Sequence, residues 1–201
     1  MIAIIDYQLG NVKSIQNAME RLEIPYIVTN QKEEIQKANG IILPGVGTFA
    51  AAMKNLKNLD LISILKERKD EGIPILGICL GMQILFETGY EVAKVDGLGF
   101  LQGKVEKIET EEKLPHMGWN ELYFSKENVF QKTIKEGSDV YFVHSYMAKP
   151  FEDDVIAYAI YGENRIPAIV GRRNVLGCQF HPEKSGKIGE KILRTWKEML
   201  K

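Results

Sequence analysis

The chain is poor in the residues that build cross-linked or metal-held folds, with two cysteines and three histidines in 201 residues. Cys79 and Cys178 form neither a C-x-x-C pair nor a finger spacing. A disulfide scaffold and a zinc framework are therefore excluded as organising principles, and a reduced thiol is expected. Net charge is equally scarce: 26 basic against 27 acidic side chains leave −1. That balance argues against general affinity for nucleic acid or a membrane surface. No apolar run approaches the ~20 residues of a transmembrane helix. The first residues lack the basic flank and small-residue cleavage site of a secretory signal, so a cytoplasmic protein is expected. Repeats, low-complexity tracts and linkers are also missing. A single domain over residues 1–201 is expected, its 45% hydrophobic content sufficient for one core.

What is present begins as an alternation of short apolar runs and one-faced helices. Residues 2–5, 26–28 and 41–43 read as buried parallel strands. Between them, Val12, Ile15, Met19 and Leu22 recur at helical spacing until Pro25, and a charged helix covers 31–38. A further helix carries Leu59, Ile62, Leu65 and Lys66 and stops at Gly72. Each βα alternation favours a central, mostly parallel sheet with helices on both faces, a three-layer α/β/α sandwich. Beyond Gly97 the texture becomes β-rich. Strands are expected over 103–108, 139–148, 155–161, 166–172 and 175–180, tightly enough spaced for antiparallel pairing. Residues 115–120 read as a loop. Ile188, Ile192, Leu193, Trp196 and Leu200 mark the apolar face of a helix packed on the sheet.

Three stretches carry chemistry. Gly77-Ile78-Cys79-Leu80-Gly81 interrupts an apolar run with glycines two before and two after a nucleophile-type residue, the pattern of a sharp strand-to-helix turn. Taken alone it admits two readings: a buried strand in which Cys79 packs as a small hydrophobe, or an elbow that presents the thiol. In the second reading the following helix start favours the thiolate, and the Leu80 N–H becomes an oxyanion donor. A helix is expected to run on through Ile84, Leu85 and Phe86 to Gly89, which turns the Gln83 amide, one turn past Cys79, toward the same cleft. Pro44-Gly45-Val46-Gly47 is a plain turn, or a flexible backbone that offers a second oxyanion donor from Val46 or Gly47 at the carboxyl edge of the sheet. It fits neither the phosphate loop nor the dinucleotide fingerprint, and no cofactor or metal is expected. In His181-Pro182-Glu183, two-residue spacing in extended chain places both side chains on one face. The carboxylate then holds one ring nitrogen and leaves the other for a nucleophile. Together with Cys79 this makes a nucleophile, base and orienter.

With these motifs in this order, the chain resembles the class I (triad-type) glutamine amidotransferases across essentially its whole length. Within that family, Asp6-Tyr7 with Gly10-Asn11-Val12-Lys13-Ser14, Pro115-His116-Met117-Gly118-Trp119-Asn120, Tyr141-Phe142-Val143-His144-Ser145-Tyr146 and Lys184-Ser185 resemble the glutaminases of imidazole glycerol phosphate synthesis in the histidine pathway. The resemblance implies a flavodoxin-like fold and hydrolysis of L-glutamine to glutamate and ammonia through a thioester on Cys79, with His181 and Glu183 completing the triad. It implies oxyanion contacts from Val46, Gly47 and Leu80. Gly47, Gln83, His144, Ser145 and Tyr146 would then hold the substrate's amino-acid end. His144 keeps two readings, a cleft residue or a satisfied core histidine, and the core reading is favoured as to proton transfer. The ammonia would pass to a (β/α)8-barrel cyclase subunit in a heterodimer, with Asn11, Met117, Trp119, Asn120, Tyr141 and Lys184 facing it. Two rivals share parts of the pattern. Other cysteine hydrolases on α/β sheets need neither the 44–47 turn nor Gln83. A flavodoxin-like binding module would let Cys79 merely pack, but Pro44 stands where a receiver-type module wants an acidic pocket.

Overall fold

A computed structural model describes residues 1–200 of the chain. The first part alternates as β1 (Ile2–Ile5), α1 (Val12–Arg21), β2 (Tyr26–Thr29), α2 (Lys32–Lys37), β3 (Gly40–Leu43), α3 (Phe49–Asn58), α4 (Ile62–Asp70), β4 (Ile75–Ile78) and α5 (Leu80–Gln83). Then follow β5 (Phe86–Tyr90), β6 (Lys94–Asp96), β7 (Leu101–Lys107), β8 (His116–Phe124), β9 (Ser138–His144), β10 (Tyr146–Pro150), β11 (Val155–Tyr161), β12 (Asn164–Arg172), β13 (Val175–Cys178) and α6 (Gly186–Lys197). Nine strands form one sheet in the order β2-β1-β3-β4-β13-β12-β11-β8-β9. It is parallel from β2 through β13 and antiparallel beyond. A smaller sheet runs β10-β7-β5-β6. This is the expected α/β sandwich with its mostly parallel half and β-rich remainder.

The strands alternate side chains between two cores, as a period of two requires. Ile2, Ile4, Ile42, Leu76 and Ile78 meet Ile15, Met19, Ile192 and Trp196 of α1 and α6 on one face. Ala3, Ile5, Ile41, Leu43 and Ile75 meet α2, α3, α4 and the smaller sheet on the other. Because both faces of β1, β3 and β4 are covered, these strands are buried throughout. Among the described residues no helix is long and apolar enough to cross a membrane.

Four expectations are corrected, three of them by contacts distant in sequence. The helix expected through Ile84 to Gly89 ends after one turn, because the N–H groups of Leu98 and Leu101 take the carbonyls of Ile84 and Leu85 at 2.8 and 3.0 Å. The chain leaves as β5. Leu59 does not share a helix with Ile62: Asp60 adopts φ 51, and Leu61 N–H closes back on Leu56 O at 3.0 Å, which separates α3 from α4. Residues 139–148 are two strands in two sheets, divided where Ser145 O accepts Ile108 N–H at 3.0 Å. Residues 116–120 are strand rather than loop, with Trp119 opposite Tyr141 and His116 opposite His144.

Candidate active site

The elbow is built by close backbone packing. Cys79 adopts φ 53, ψ −110, a conformation that costs a non-glycine residue ~1–3 kcal/mol and persists only when its surroundings impose it. The flanking glycines state why they are needed. A Cβ on Gly77 would lie 2.5 Å from Gly81 O, and one on Gly81 would lie 1.8 Å from Leu43 O. The elbow therefore sits directly on the end of β3, beside the 44–47 turn. Tyr7, fully buried, donates its hydroxyl to Pro44 O and secures that turn from below. Burial, then the nearby Cys79 sulfur, raise the Tyr7 phenol pKa well above its usual range. The helix after the elbow is a single turn, so it sets no long helix dipole against the Cys79 sulfur. The N–H of Leu80 stands at the first helical position, where no partner exists within the helix.

His181 approaches Cys79 from the adjacent strand end. β13 pairs in parallel with β4, Cys178 opposite Ile78, and Cys79 N–H donates to Cys178 O at 2.7 Å. Glu183 meets His181 otherwise than expected: extended chain ends at His181, and Pro182–Lys184 is a short 3-10 turn. The turn still delivers the carboxylate, with His181 Nδ1 to Glu183 Oε1 at 2.7 Å and both side chains buried. Backbone contacts hold the arrangement: His181 N–H donates to Tyr141 O at 2.9 Å, and Ser185 Oγ donates to His181 O at 2.6 Å. His181 Nε2 is buried and makes no hydrogen bond, which leaves it for chemistry. Burial pulls the imidazole pKa down, but the Cys79 sulfur and the Glu183 carboxylate outweigh it and push it up to about 9. Cys178, buried against the sheet, has its thiol pushed far up by burial and, secondarily, by Glu183.

These groups open into one cleft of about 250 Å³ lined by Val46, Gly47, Cys79, Leu80, Gln83, Glu91, Val143, His144, Ser145, Tyr146 and His181. All of the expected oxyanion and glutamine-contact residues are thus brought together. Glu91 was missed by sequence reasoning, since it follows β5, a strand expected to be helix. Its Oε2 accepts Phe49 N–H at 2.8 Å, which places a carboxylate at the start of α3 and in the cleft. His144 is held rather than free. Its Nδ1 donates to Tyr146 O at 2.8 Å and its Nε2 meets His116 Nδ1 at 2.9 Å. Burial is the main reason its pKa falls to about 3; His116 and His181 push the same way, while the Tyr146 carbonyl opposes them. It is a neutral, hydrogen-bonded ring.

Outside the cleft, Met117 and Trp119 project from β8 into solvent at 64% and 55% exposure. Trp119 stacks edge-on against Tyr141 at 5.9 Å. Lys184 is exposed and Asn11 half-buried at the start of α1. The Asn120 side chain differs from its neighbours: it bonds His116 Nε2 at 2.7 Å and Ile160 O at 3.2 Å. Its amide is engaged with its own sheet.

An elbow cysteine and a His–Glu pair at the carboxyl edge of a largely parallel sheet define a class. The chain matches the family described as glutamine amidotransferase class-I over residues 3–197, and it belongs to that family. It is 54% identical over 197 residues to the imidazole glycerol phosphate synthase subunit HisH of Lactococcus lactis subsp. lactis (strain IL1403), covering 98% of both chains. It is 48% identical to the subunit of that name from Bacillus cereus (strain B4264), covering 98% of this chain and 93% of the relative. Its fold is similar to a crystal structure of a glutamine amidotransferase, with TM-score 0.77, 20% identity, and 98% and 97% coverage. It is likewise similar to the PurLQS structure from Thermotoga maritima, with TM-score 0.75, 21% identity, and 100% and 98% coverage.

Proposed function

We propose that the chain is the glutaminase subunit of an imidazole glycerol phosphate synthase. It acts in the cytoplasm as a single domain that hydrolyses L-glutamine and passes the ammonia to a (β/α)8-barrel cyclase in histidine biosynthesis. The observation that carries the reading is one cleft that unites Cys79 on a strained elbow with a buried His181–Glu183 pair at 2.7 Å. Family membership and the relatives' names support it.

In the proposed reaction the Cys79 proton resides on His181, whose raised pKa of about 9 favours the imidazolium. The thiolate adds to the side-chain amide carbon of glutamine. Negative charge moves to the amide oxygen, where the Leu80 N–H and an N–H of the Val46-Gly47 turn receive it. His181 Nε2 gives its proton to the departing nitrogen; the C–N bond breaks, ammonia leaves, and a thioester remains. Neutral His181 then removes a proton from water, which attacks the thioester through a second oxyanion and releases glutamate and thiolate. Glu183 holds the ring through Nδ1 and offsets its positive charge. At the other end of the substrate, Glu91 and the Gln83 carbonyl oxygen receive the α-ammonium group. Met117, Trp119, Tyr141, Lys184 and the Asn11 turn form the face toward the cyclase, where aromatic side chains anchor contact.

Labelling with 6-diazo-5-oxo-norleucine tests the reading. A single adduct on Cys79 is expected. An adduct on Cys178, or none in the presence of cyclase and acceptor, overturns it. Cys79→Ala is expected to lose glutamine-dependent turnover by ~10⁴- to 10⁶-fold, while ammonia-dependent synthesis by the complex survives.

A further inference from the structure

Behind the cleft, Gln179 is completely buried, and its side chain has two polar contacts. Nε2 lies 3.8 Å from Cys79 Sγ, and Oε1 lies 3.0 Å from Gln83 Nε2. Which end of this amide faces the sulfur is decided by a chain of hydrogen bonds that starts at a backbone carbonyl. Tyr146 O has two lone pairs and no proton. It is contacted by His144 Nδ1 at 2.8 Å and by Gln83 at 3.0 Å, so both groups donate to it. The Gln83 terminus there is its NH₂ group, and the second hydrogen of that group points at Gln179. Gln179 must accept it with Oε1, which leaves its NH₂ toward Cys79. Reversing either amide would set two donors or two acceptors against each other in a buried site, which costs a full desolvation penalty.

We propose that Gln179 is a catalytic hydrogen-bond donor to the Cys79 sulfur, its polarity imposed through Gln83 by the Tyr146 carbonyl. The inference rests on the glutaminase reading of the cleft and adds a group to it. A one-turn helix leaves the nucleophile short of dipolar support, and an N–H aimed at an anionic sulfur supplies it. Attack on the amide carbon draws charge off the sulfur, and the donor regains its partner when the thioester is hydrolysed. The same chain leaves Gln83 Oε1 as the only end of that amide free for substrate.

Two substitutions separate the donor from the scaffold. Gln179→Glu keeps an oxygen for Gln83 and puts an oxygen where the N–H met the sulfur. Gln179→Met removes both contacts at similar volume. A hydrogen bond to a charged group implies that Gln179→Glu slows alkylation of Cys79 by iodoacetamide at neutral pH by ~10- to 100-fold. Its alkylation–pH profile should move to higher pH. In the complex with cyclase, kcat for glutamine should fall by a similar factor with KM held within ~2-fold, because Gln83 remains fixed. Gln179→Met should lower kcat and raise KM together. Wild-type alkylation and kcat in Gln179→Glu overturn the proposal. In the wild-type protein the Gln179 side-chain amide resonance should shift as Cys79 titrates, and an unmoved resonance overturns it without any variant. Cys79→Ala, run alongside, keeps the levels distinct. If it still turns over glutamine, the proposed function falls. If it is inactive while Gln179→Glu behaves as wild type, only the donor falls.

Discussion

Replacing Gly81 by alanine adds one methyl group at the point where the elbow rests on the sheet. Its Cβ would lie 1.8 Å from Leu43 O and 2.7 Å from Leu43 C, with Pro44 O at 3.0 Å. A carbon normally stays ~3.3 Å from a carbonyl oxygen, so the elbow and the end of β3 must separate by ~1.5 Å. Backbone lies on both sides of the clash, and no side chain can swing aside to relieve it. Overpacking of a core costs ~1–3 kcal/mol, and this site should reach the upper end. For a chain of this length that corresponds to a fall in Tm of ~6–12 °C. The displacement also moves the Leu80 N–H away from the Val46-Gly47 turn, and a 1 Å misplacement in an active site can cost ~10²-fold in rate. Gly72 provides the comparison, since its φ is +81 but nothing lies within 4 Å of its would-be Cβ. Gly72→Ala should cost ~1–2 kcal/mol through backbone strain alone and leave turnover unchanged. Thermal unfolding and glutamate release measured on both variants check the argument. A Gly81→Ala protein with Tm within ~2 °C of wild type and undiminished turnover would refute it.

Other consequences can be measured directly. Burial lowers the His181 pKa, but the Cys79 sulfur and the Glu183 carboxylate outweigh it and raise it from 6.5 to about 9. Cys79→Ala should therefore move the His181 imidazole titration to lower pH when followed by NMR, and an unmoved titration contradicts it. Glu183→Gln keeps an acceptor for Nδ1 but removes the charge. Turnover should fall ~10²- to 10⁴-fold with the fold intact by circular dichroism. Trp196, 1% exposed between α6 and the sheet, should cost ~3–5 kcal/mol as Trp196→Ala in denaturant titrations. Trp119→Ala, at an exposed site, should leave stability within ~0.5 kcal/mol. It should weaken affinity for the barrel cyclase by ~30-fold in calorimetric titration, and unchanged affinity would remove Trp119 from the interface.

Much of this arrangement is legible in local sequence. The runs that became β1 to β4 and the amphipathic spacing of α1 and α6 are short-range patterns, and short-range sterics determine them. The elbow is legible for the same reason, since Gly77 and Gly81 are required within a few residues of Cys79. Apart from the local turn at Asp60, what escaped depends on partners far along the chain. Ile84 to Gly89 follows directly on the turn of helix after the elbow, but residues 98–101 capture the carbonyls of Ile84, Leu85 and Phe86. The run from Asp139 to Ala148 looks like one strand, yet Ser145 is where Ile108 diverts it into another sheet. Glu91 and Gln179 lie in no motif that announces chemistry. Their placement follows from which atoms face Phe49, Gln83 and Cys79 once the sheets are paired.

The placement of β13 carries a consequence for how activity arises during folding. This strand inserts between β4 and β12 in the middle of the large sheet, and it leads directly into Gln179, His181 and Glu183. Gln179 is 100 residues from Cys79 along the chain, and only this insertion brings the two together. Until the centre of the sheet closes, Cys79 has none of His181, Glu183 and Gln179 beside it. A nascent or partly unfolded chain therefore carries an isolated thiol. The cleft around it is assembled in the same step as the completed core, so the proposed triad cannot form before the molecule is folded.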